Sequence, residues 1–237
     1  MHRRRRGDRG GAGAGLSNVL VIGASRGIGL EFVRQYREQW DRVIATARDD
    51  AGLQRIEALG ARALKLDVAD PASISGLAWQ LDGEKIDVAL YVAGVYATAD
   101  ARQPPTQDEF DRLMRTNVLG AMQAIPQVAP LVEAARGKFA FLSSDMGYIG
   151  GTDTSFGWTY RVSKAALNMA VAAAQHDYPA ATLVAISPGW VRTGMGGDNA
   201  PMSVEQSVAA MRRTLGSLTA RHKGAFLNYD GRRFKGW

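Results

Sequence analysis

The sequence predicts one α/β domain, a doubly wound parallel sheet of about seven strands with helices on both faces. Short β-branched runs alternate with longer amphipathic or alanine-rich segments over most of the 237 residues. Several of the short runs are almost continuously apolar, which is typical of strands that helices cover on both sides. With 46% apolar and 22% charged residues, the composition is that of a globular protein with one core.

The predicted elements follow each other in a βα alternation. The run NVLVI at 18–22 is the first strand, and a glycine-containing turn separates it from a helix over 28–38. The other predicted strands are 42–46, 62–66, 86–92, 138–142, 181–186 and 224–227. The other predicted helices are 71–81, 110–132, 158–176 and 204–218. Repeated βα units of this size are joined by crossover connections, which makes the sheet parallel.

Residues 1–17 form a predicted disordered arm, and residues 18–237 form the domain. Five arginines and one aspartate in residues 1–18 account for +4 of the net charge of +6, so the rest of the chain is nearly neutral. This distribution favours a solvated tail, with nucleic-acid binding by the arm as an alternative. Because the sequence has no cysteine, no secretory signal and no bilayer-spanning segment, we expect a cytoplasmic protein without a metal site, a membrane partner or a specific nucleic-acid partner.

Gly23, Gly27 and Gly29 lie between the first predicted strand and the first predicted helix. Glycine permits a tight turn and close approach of the backbone to a ligand, and the free N–H groups at the start of a helix attract a phosphate. The position of this turn predicts a dinucleotide site. Its spacing, G-x-x-x-G-x-G, differs from the G-x-G-x-x-G fingerprint, and tight packing of helix on strand is an alternative reason for the glycines.

Seven short motifs resemble, in order and spacing, those of the short-chain dehydrogenase/reductase family over residues 18–237. They are GASRGIG at 23–29, LDV at 66–68, AG at 93–94, TNVLG at 116–120, FLSS at 141–144, YRVSK at 160–164 and SPGWVRTGM at 187–195. The segment between Ser144 and Tyr160 and the ending NYDGRRFKGW are most similar to the carbonyl reductase branch that includes the bacterial C-factor proteins. The resemblance implies a Rossmann-type fold, a nicotinamide cofactor and an oxidoreductase acting on carbonyl or CH–OH groups.

Tyr160 and Lys164 are four residues apart on a predicted helix, so they share one face of it. A free tyrosine has a pKa of about 10, and proton transfer near neutrality requires a positive charge that favours phenolate. Lys164 and the oxidised nicotinamide have that charge, so we expect Tyr160 to be the general acid or base. The resemblance further implies that Ser144 donates to the substrate oxygen, that Lys164 binds the nicotinamide ribose and that Asn117 orders a water between Lys164 and solvent.

The resemblance also implies which residues contact the cofactor, with Asp67 and Val68 near the adenine. Pro188 and Gly189 would lie beneath the nicotinamide, and Val191 and Thr193 against its carboxamide. The full expected set is Gly23, Ser25, Arg26, Gly27, Ile28, Gly29, Arg48, Asp67, Val68, Ala93, Gly94, Tyr160, Lys164, Pro188, Gly189, Val191 and Thr193. An aspartate after a strand is also a common turn or cap residue, and a Pro-Gly pair also forms a turn.

Cofactor choice depends on the end of the second predicted strand, where VIATARDD has Thr46, Ala47 and Arg48. NAD-binding enzymes place a carboxylate here to bind the ribose 2′-OH, whereas arginine attracts a 2′-phosphate. Arg48 together with Arg26 therefore predicts a preference for NADP(H). NAD(H) is the alternative, with Arg48 solvated and Asp49 or Asp50 on the ribose.

The expected substrate is a small aldehyde, ketone or alcohol, because residues near the motifs are apolar or aromatic and carry no fixed charge. These residues are Tyr96, Met146, Tyr148, Phe156, Trp158, Trp190 and Met195. The family commonly has Asn-Asn-Ala-Gly where this chain has Tyr91-Val92-Ala93-Gly94, which affects support of the central strands or the cofactor. A catalytically silent NADP(H) sensor or scaffold is the alternative function. A homo-oligomer, dimer or tetramer, is compatible with the resemblance.

Overall fold

The computed structural model describes residues 16–39 and 41–237. Within them, seven strands form one parallel sheet in the order β3-β2-β1-β4-β5-β6-β7. The strands are β1 Asn18–Ile22, β2 Arg42–Ala47, β3 Arg62–Lys65, β4 Val88–Tyr91, β5 Lys138–Leu142, β6 Thr182–Ser187 and β7 Phe226–Asn228. This sheet confirms the predicted fold class, and all seven predicted strands are present with ends that shift by at most two residues.

The α-helices follow the strands in chain order. They are α1 Gly27–Arg37, α2 Asp50–Ala58, α3 Pro71–Ser75, α4 Leu77–Gln80, α5 Gln107–Met114, α6 Gly120–Ala134, α7 Trp158–Ala174 and α8 Val204–Ser217. Among the described helices, none combines the length and the apolar character needed to cross a bilayer. Of the predicted arm, residues 1–15 lie outside the described part of the chain. Ser17 already belongs to the fold, since its N–H donates to Asp41 over 2.9 Å.

The sheet separates two hydrophobic cores, as the alternation of side chains along β1 demonstrates. Val19 and Val21 pack with the apolar residues of α1, α2 and α8 on one face. Leu20 and Ile22 pack with those of α3, α4, α6 and α7 on the other face. The order of the strands reverses direction between β1 and β4, so the loops that follow these two strands diverge at the carboxyl edge of the sheet. Ligands of doubly wound sheets bind in the crevice at this point.

Two long predicted helices are interrupted, and one helix was not predicted. The segment 71–81 divides at Gly76 into α3 and α4. The segment 110–132 begins earlier, at Gln107, and contains a π-helical turn, Arg115–Leu119, between α5 and α6. The helix α2 was missed because it is only 9 residues long and has a glycine in its first turn. Its start is nevertheless capped, since Asp49 accepts from the Gly52 N–H over 2.7 Å.

Candidate active site

The loop between β1 and α1 requires glycine at two of its positions. Gly23 has φ +90°, and a Cβ atom there would lie 2.6 Å from the backbone nitrogen of Ala93. A Cβ atom at Gly29 would lie 2.2 Å from the Gly23 carbonyl oxygen. The Gly23 N–H donates to the Thr46 hydroxyl over 3.1 Å, which ties the loop to the end of β2. The glycines at 23 and 29 therefore serve packing, the alternative that the sequence left open.

Gly27 has a different environment, because a Cβ atom there would not be crowded. Its φ is +55°, and the nearest atom to a Cβ there would be Thr193 Cγ2, at 3.9 Å. No side chain caps the start of α1, and no acidic residue occupies its first turn. We call the region between the glycine loop and the segment after β6 the crevice; the N–H groups at the start of α1, which no side chain caps, border it.

Basic side chains surround the end of β2. Arg26 and Arg48 are exposed, and neither side chain forms a hydrogen bond or ion pair with the described residues. Of the neighbouring carboxylates, Asp49 caps α2 through one of its oxygens, and Asp50 pairs with Lys65 over 2.9 Å. A third guanidinium, which the sequence reasoning missed, comes from Arg55 on α2.

Asp67 and Val68 follow β3. One carboxylate oxygen of Asp67 accepts from the Ala69 N–H over 2.9 Å, as expected of a turn residue. Val68 is buried and packs on Gly120, where an added Cβ would lie 3.2 Å from the Val68 Cβ. The second oxygen of Asp67 has no partner among the described residues, so the turn role and a role in binding adenine are compatible.

Asn117 lies in the π-helical turn and is fully buried. Its side chain accepts from the Val95 N–H over 2.8 Å and donates to the Val95 carbonyl and the Ser163 hydroxyl, both over 2.9 Å. Asn117 therefore clamps the chain just after Gly94. A Cβ at Gly94 would lie 3.4 Å from Asn117 Oδ1 and 3.5 Å from Lys164 Nζ, so Asn117 and Lys164 are brought together there.

Ser144, Tyr160 and Lys164 meet behind the carboxyl end of β5. Lys164 Nζ donates to the Leu142 carbonyl over 2.7 Å and lies 5.6 Å from the centre of the Tyr160 ring. Ser144 caps the turn Asp145–Gly147 by accepting from the Met146 N–H over 3.1 Å. Tyr160 and Lys164 are 8% and 4% exposed, so both reactive groups are largely removed from water.

Burial controls the protonation of both groups. It lowers the pKa of Lys164 to about 7, because the ammonium loses its hydration. It raises the pKa of Tyr160 well above its usual value, against a smaller lowering by the Ser144 side chain. The sequence led us to expect a lowered pKa for Tyr160, but the protein's own groups shift it in the opposite direction. The reason is that desolvation of the phenolate outweighs the lowering by the Ser144 side chain, and Tyr96 and Asp145 raise the pKa further.

The segment after β6 is connected to this cluster through Ser187, which the sequence reasoning also missed. Its hydroxyl accepts from the Asp145 N–H over 3.1 Å and from the Gly189 N–H over 3.3 Å. The Pro188 carbonyl accepts from the Ser207 hydroxyl over 2.7 Å. Val191 is buried and forms an isolated bridge with Met202. These contacts hold the segment of Pro188, Gly189, Val191 and Thr193 against the crevice.

Only part of the predicted aromatic pocket reaches Tyr160. The Tyr96 ring meets the Tyr160 ring edge-on, with centres 4.8 Å apart, and Met146 packs with both. Tyr148 instead packs against Phe234, with centres 5.2 Å apart. Phe156, Trp190 and Met195 are each about half exposed, at 48%, 58% and 49%. Proximity in sequence overestimated the pocket, because neighbours on a loop or helix turn point in different directions.

Comparisons with known proteins show which family the chain is similar to. The family model for short chain dehydrogenases matches residues 17–203. The chain is 30% identical over 225 residues to 1-hydroxy-2-glutathionyl-2-methyl-3-butene dehydrogenase of Rhodococcus sp. (strain AD45), a match that covers 91% of this chain and 98% of that protein.

Solved structures extend the comparison to the fold. The carbonyl reductase Sniffer of D. melanogaster superposes with a TM-score of 0.85 at 26% identity, covering 94% of this chain and 100% of that one. A short-chain dehydrogenase/reductase from Burkholderia multivorans with bound NADP gives 0.83 at 31% identity, with the same coverage. With its seven-stranded parallel sheet and the matched motifs, the chain belongs to the short-chain dehydrogenase/reductase family of oxidoreductases, near the carbonyl reductase branch.

Proposed function

We propose that this protein is an NADP(H)-dependent oxidoreductase that reduces an aldehyde or ketone to an alcohol, or runs the reverse reaction, with Tyr160 as the general acid or base. The observation that carries the proposal is the position of the buried Tyr160 between the Ser144 side chain and Lys164, at the carboxyl edge of the sheet. This edge is where doubly wound sheets bind dinucleotides.

The crevice fits a dinucleotide. The backbone at Gly27 is uncrowded, and the uncapped start of α1 offers N–H groups to a pyrophosphate. The exposed Arg26 and Arg48 offer two guanidiniums to a 2′-phosphate, while Asp49 caps α2 through one oxygen and Asp50 pairs with Lys65. Lys164, beside Gly94, would bind the nicotinamide ribose. The NADP in the Burkholderia multivorans relative supports the same choice of cofactor.

The residues divide the chemistry between them. NADPH, when bound, supplies the hydride that adds to the carbonyl carbon. Tyr160 transfers its phenolic proton to the carbonyl oxygen, which completes the alcohol and leaves a phenolate. Ser144 donates a hydrogen bond to that oxygen while negative charge develops on it. When Lys164 is protonated, it stabilises the phenolate. With a pKa of about 7, Lys164 exchanges protons with solvent near neutrality.

The raised pKa of Tyr160 keeps the phenol protonated at neutral pH, which is the form that carbonyl reduction uses. It also makes the phenol a weaker acid, so proton donation depends on positive charge that stabilises the phenolate. Oxidation of an alcohol would need the phenolate, which forms only when positive charge lies close to it.

The apolar contacts of Tyr96 and Met146 with Tyr160 support a carbonyl substrate with an apolar portion.

The direct test is to follow NADPH absorbance while the purified protein is supplied with a panel of aldehydes and ketones, in parallel with NADH. We expect consumption of NADPH with at least one class of carbonyl and a lower KM for NADPH than for NADH. If NADPH binds but no member of the panel is reduced, the catalytically silent sensor replaces this proposal. A lower KM for NADH would contradict the assignment of Arg26 and Arg48 to the 2′-phosphate.

A further inference from the structure

Arg55, on the unpredicted helix α2, reaches back to the glycine loop. Its Nε donates to the Ser25 carbonyl over 2.8 Å. One turn earlier, Gly52 approaches the same residue, and a Cβ at Gly52 would lie 2.8 Å from the Ser25 Cβ. The helix therefore touches the loop at Ser25 through both its backbone and a guanidinium.

The bond from Arg55 fixes the orientation of one peptide group. The carbonyl of Ser25 and the N–H of Arg26 belong to the same planar trans peptide, so they point in opposite directions. Holding the carbonyl with Arg55 therefore sets the direction of the Arg26 N–H and the start of its side chain. Arg26 has an extended backbone, with φ −167° and ψ 174°, immediately before the left-handed Gly27. The Arg26 side chain is exposed.

We propose that Arg55 is a positioning residue for NADP(H) selectivity, which holds the Ser25–Arg26 peptide so that the Arg26 guanidinium binds the 2′-phosphate. This inference rests on the proposed function. Arg55 forms no ion pair with the described residues, so the bond to the Ser25 carbonyl is its only side-chain polar contact with them.

The test measures binding without turnover. Adenosine 2′,5′-bisphosphate and adenosine 5′-monophosphate are titrated calorimetrically into the full-length protein and into Arg55→Met. We expect Arg55→Met to weaken the bisphosphate about tenfold and the monophosphate about twofold or less, since one charge-assisted contact is affected. Arg221→Met is the matched control, because Arg221 is an exposed arginine that precedes β7 at the opposite edge of the sheet. It should leave both affinities unchanged, and all variants should unfold at the wild-type temperature.

A double-mutant cycle with Arg26→Met separates positioning from simple charge. If Arg55 acts through Arg26, the effect of Arg55→Met should largely disappear in the Arg26→Met background. An undiminished effect in that background, or an unchanged preference for the bisphosphate in Arg55→Met alone, would overturn the inference. Failure of the wild-type protein to prefer the bisphosphate would instead reject the proposed NADP(H) preference itself.

Discussion

The ionisable groups at one end of the crevice are exposed, and those at the other end are buried. At the end of β2, Arg26 and Arg48 are exposed to solvent and free of described partners. Behind β5, Tyr160 and Lys164 are almost completely buried. Burial shifts the pKa of each group in the direction that favours its neutral form. Exposed charges can select an anionic ligand without changing their own protonation, whereas burial brings the pKa of Lys164 close to neutrality, where it can exchange protons. In the proposed function, exposed residues therefore recognise the cofactor, and buried residues carry out the proton transfer.

The largest expected effect comes from a substitution at the buried end of the crevice. Tyr160→Phe removes the proton donor, so we expect carbonyl reduction to fall by about 10²–10⁴-fold. NADPH binding should stay within a few-fold of wild type, because the phenol does not belong to the exposed end. Steady-state rates and fluorescence titration of NADPH measure the two properties. Tyr178→Phe, at the opposite edge after α7, is the matched control and should keep full activity. Wild-type turnover in Tyr160→Phe would refute the assignment.

The second prediction concerns the loop between the two ends. Gly23→Ala should destabilise the protein by roughly 2–4 kcal/mol, because the added Cβ overlaps the Ala93 backbone and φ +90° is strained for alanine. Gly216→Ala in α8 is the control, since nothing lies within 4 Å of its Cβ. It should be neutral or stabilising by about 0.5–1 kcal/mol. Urea unfolding measures both, and equal stabilities would contradict the packing role of Gly23.

The third prediction uses the depressed pKa of Lys164. Between pH 7 and its unfolded value of 10.5, the folded lysine binds fewer protons than the unfolded one. The stability of the cofactor-free protein should therefore rise with pH in this window, by up to about 1.4 kcal/mol per pH unit from this group. Lys164→Met should remove that contribution. The measurement is urea unfolding of both proteins from about pH 7 to pH 9, and parallel pH profiles would argue against a neutral buried lysine.

The smallest expected effect concerns Tyr91, where the chain departs from the family's usual asparagine. Its hydroxyl donates to the Thr116 carbonyl over 2.8 Å, and its ring stacks on Phe141. Tyr91 thus supports the π-helical turn next to Asn117. Tyr91→Phe should cost about 1 kcal/mol of stability by removing this part-buried hydrogen bond. Thermal unfolding measures this loss, and a temperature identical to wild type would indicate that the bond contributes nothing.

Much of the fold and of the site was predictable because its signals are local. The apolar runs placed all seven strands, and the motif residues Ser144, Tyr160 and Lys164 meet in one cluster. The helix α2 and the π-helical turn were not predictable in the same way. The helix α2 is short and contains a glycine. The π-helical turn accepts a hydrogen bond from Tyr91, which is distant from it in sequence.

The sequence by itself determined the order of the elements, the glycines of the loop and the identities of the reactive side chains, because these depend on local periodicity and residue chemistry. Only the tertiary structure decided the protonation of Tyr160 and Lys164, since desolvation depends on everything packed around a group. It also decided that Arg55 meets Ser25, a contact 30 residues apart in sequence. Such contacts arise from the docking of helices on a sheet and leave no periodic pattern in the chain.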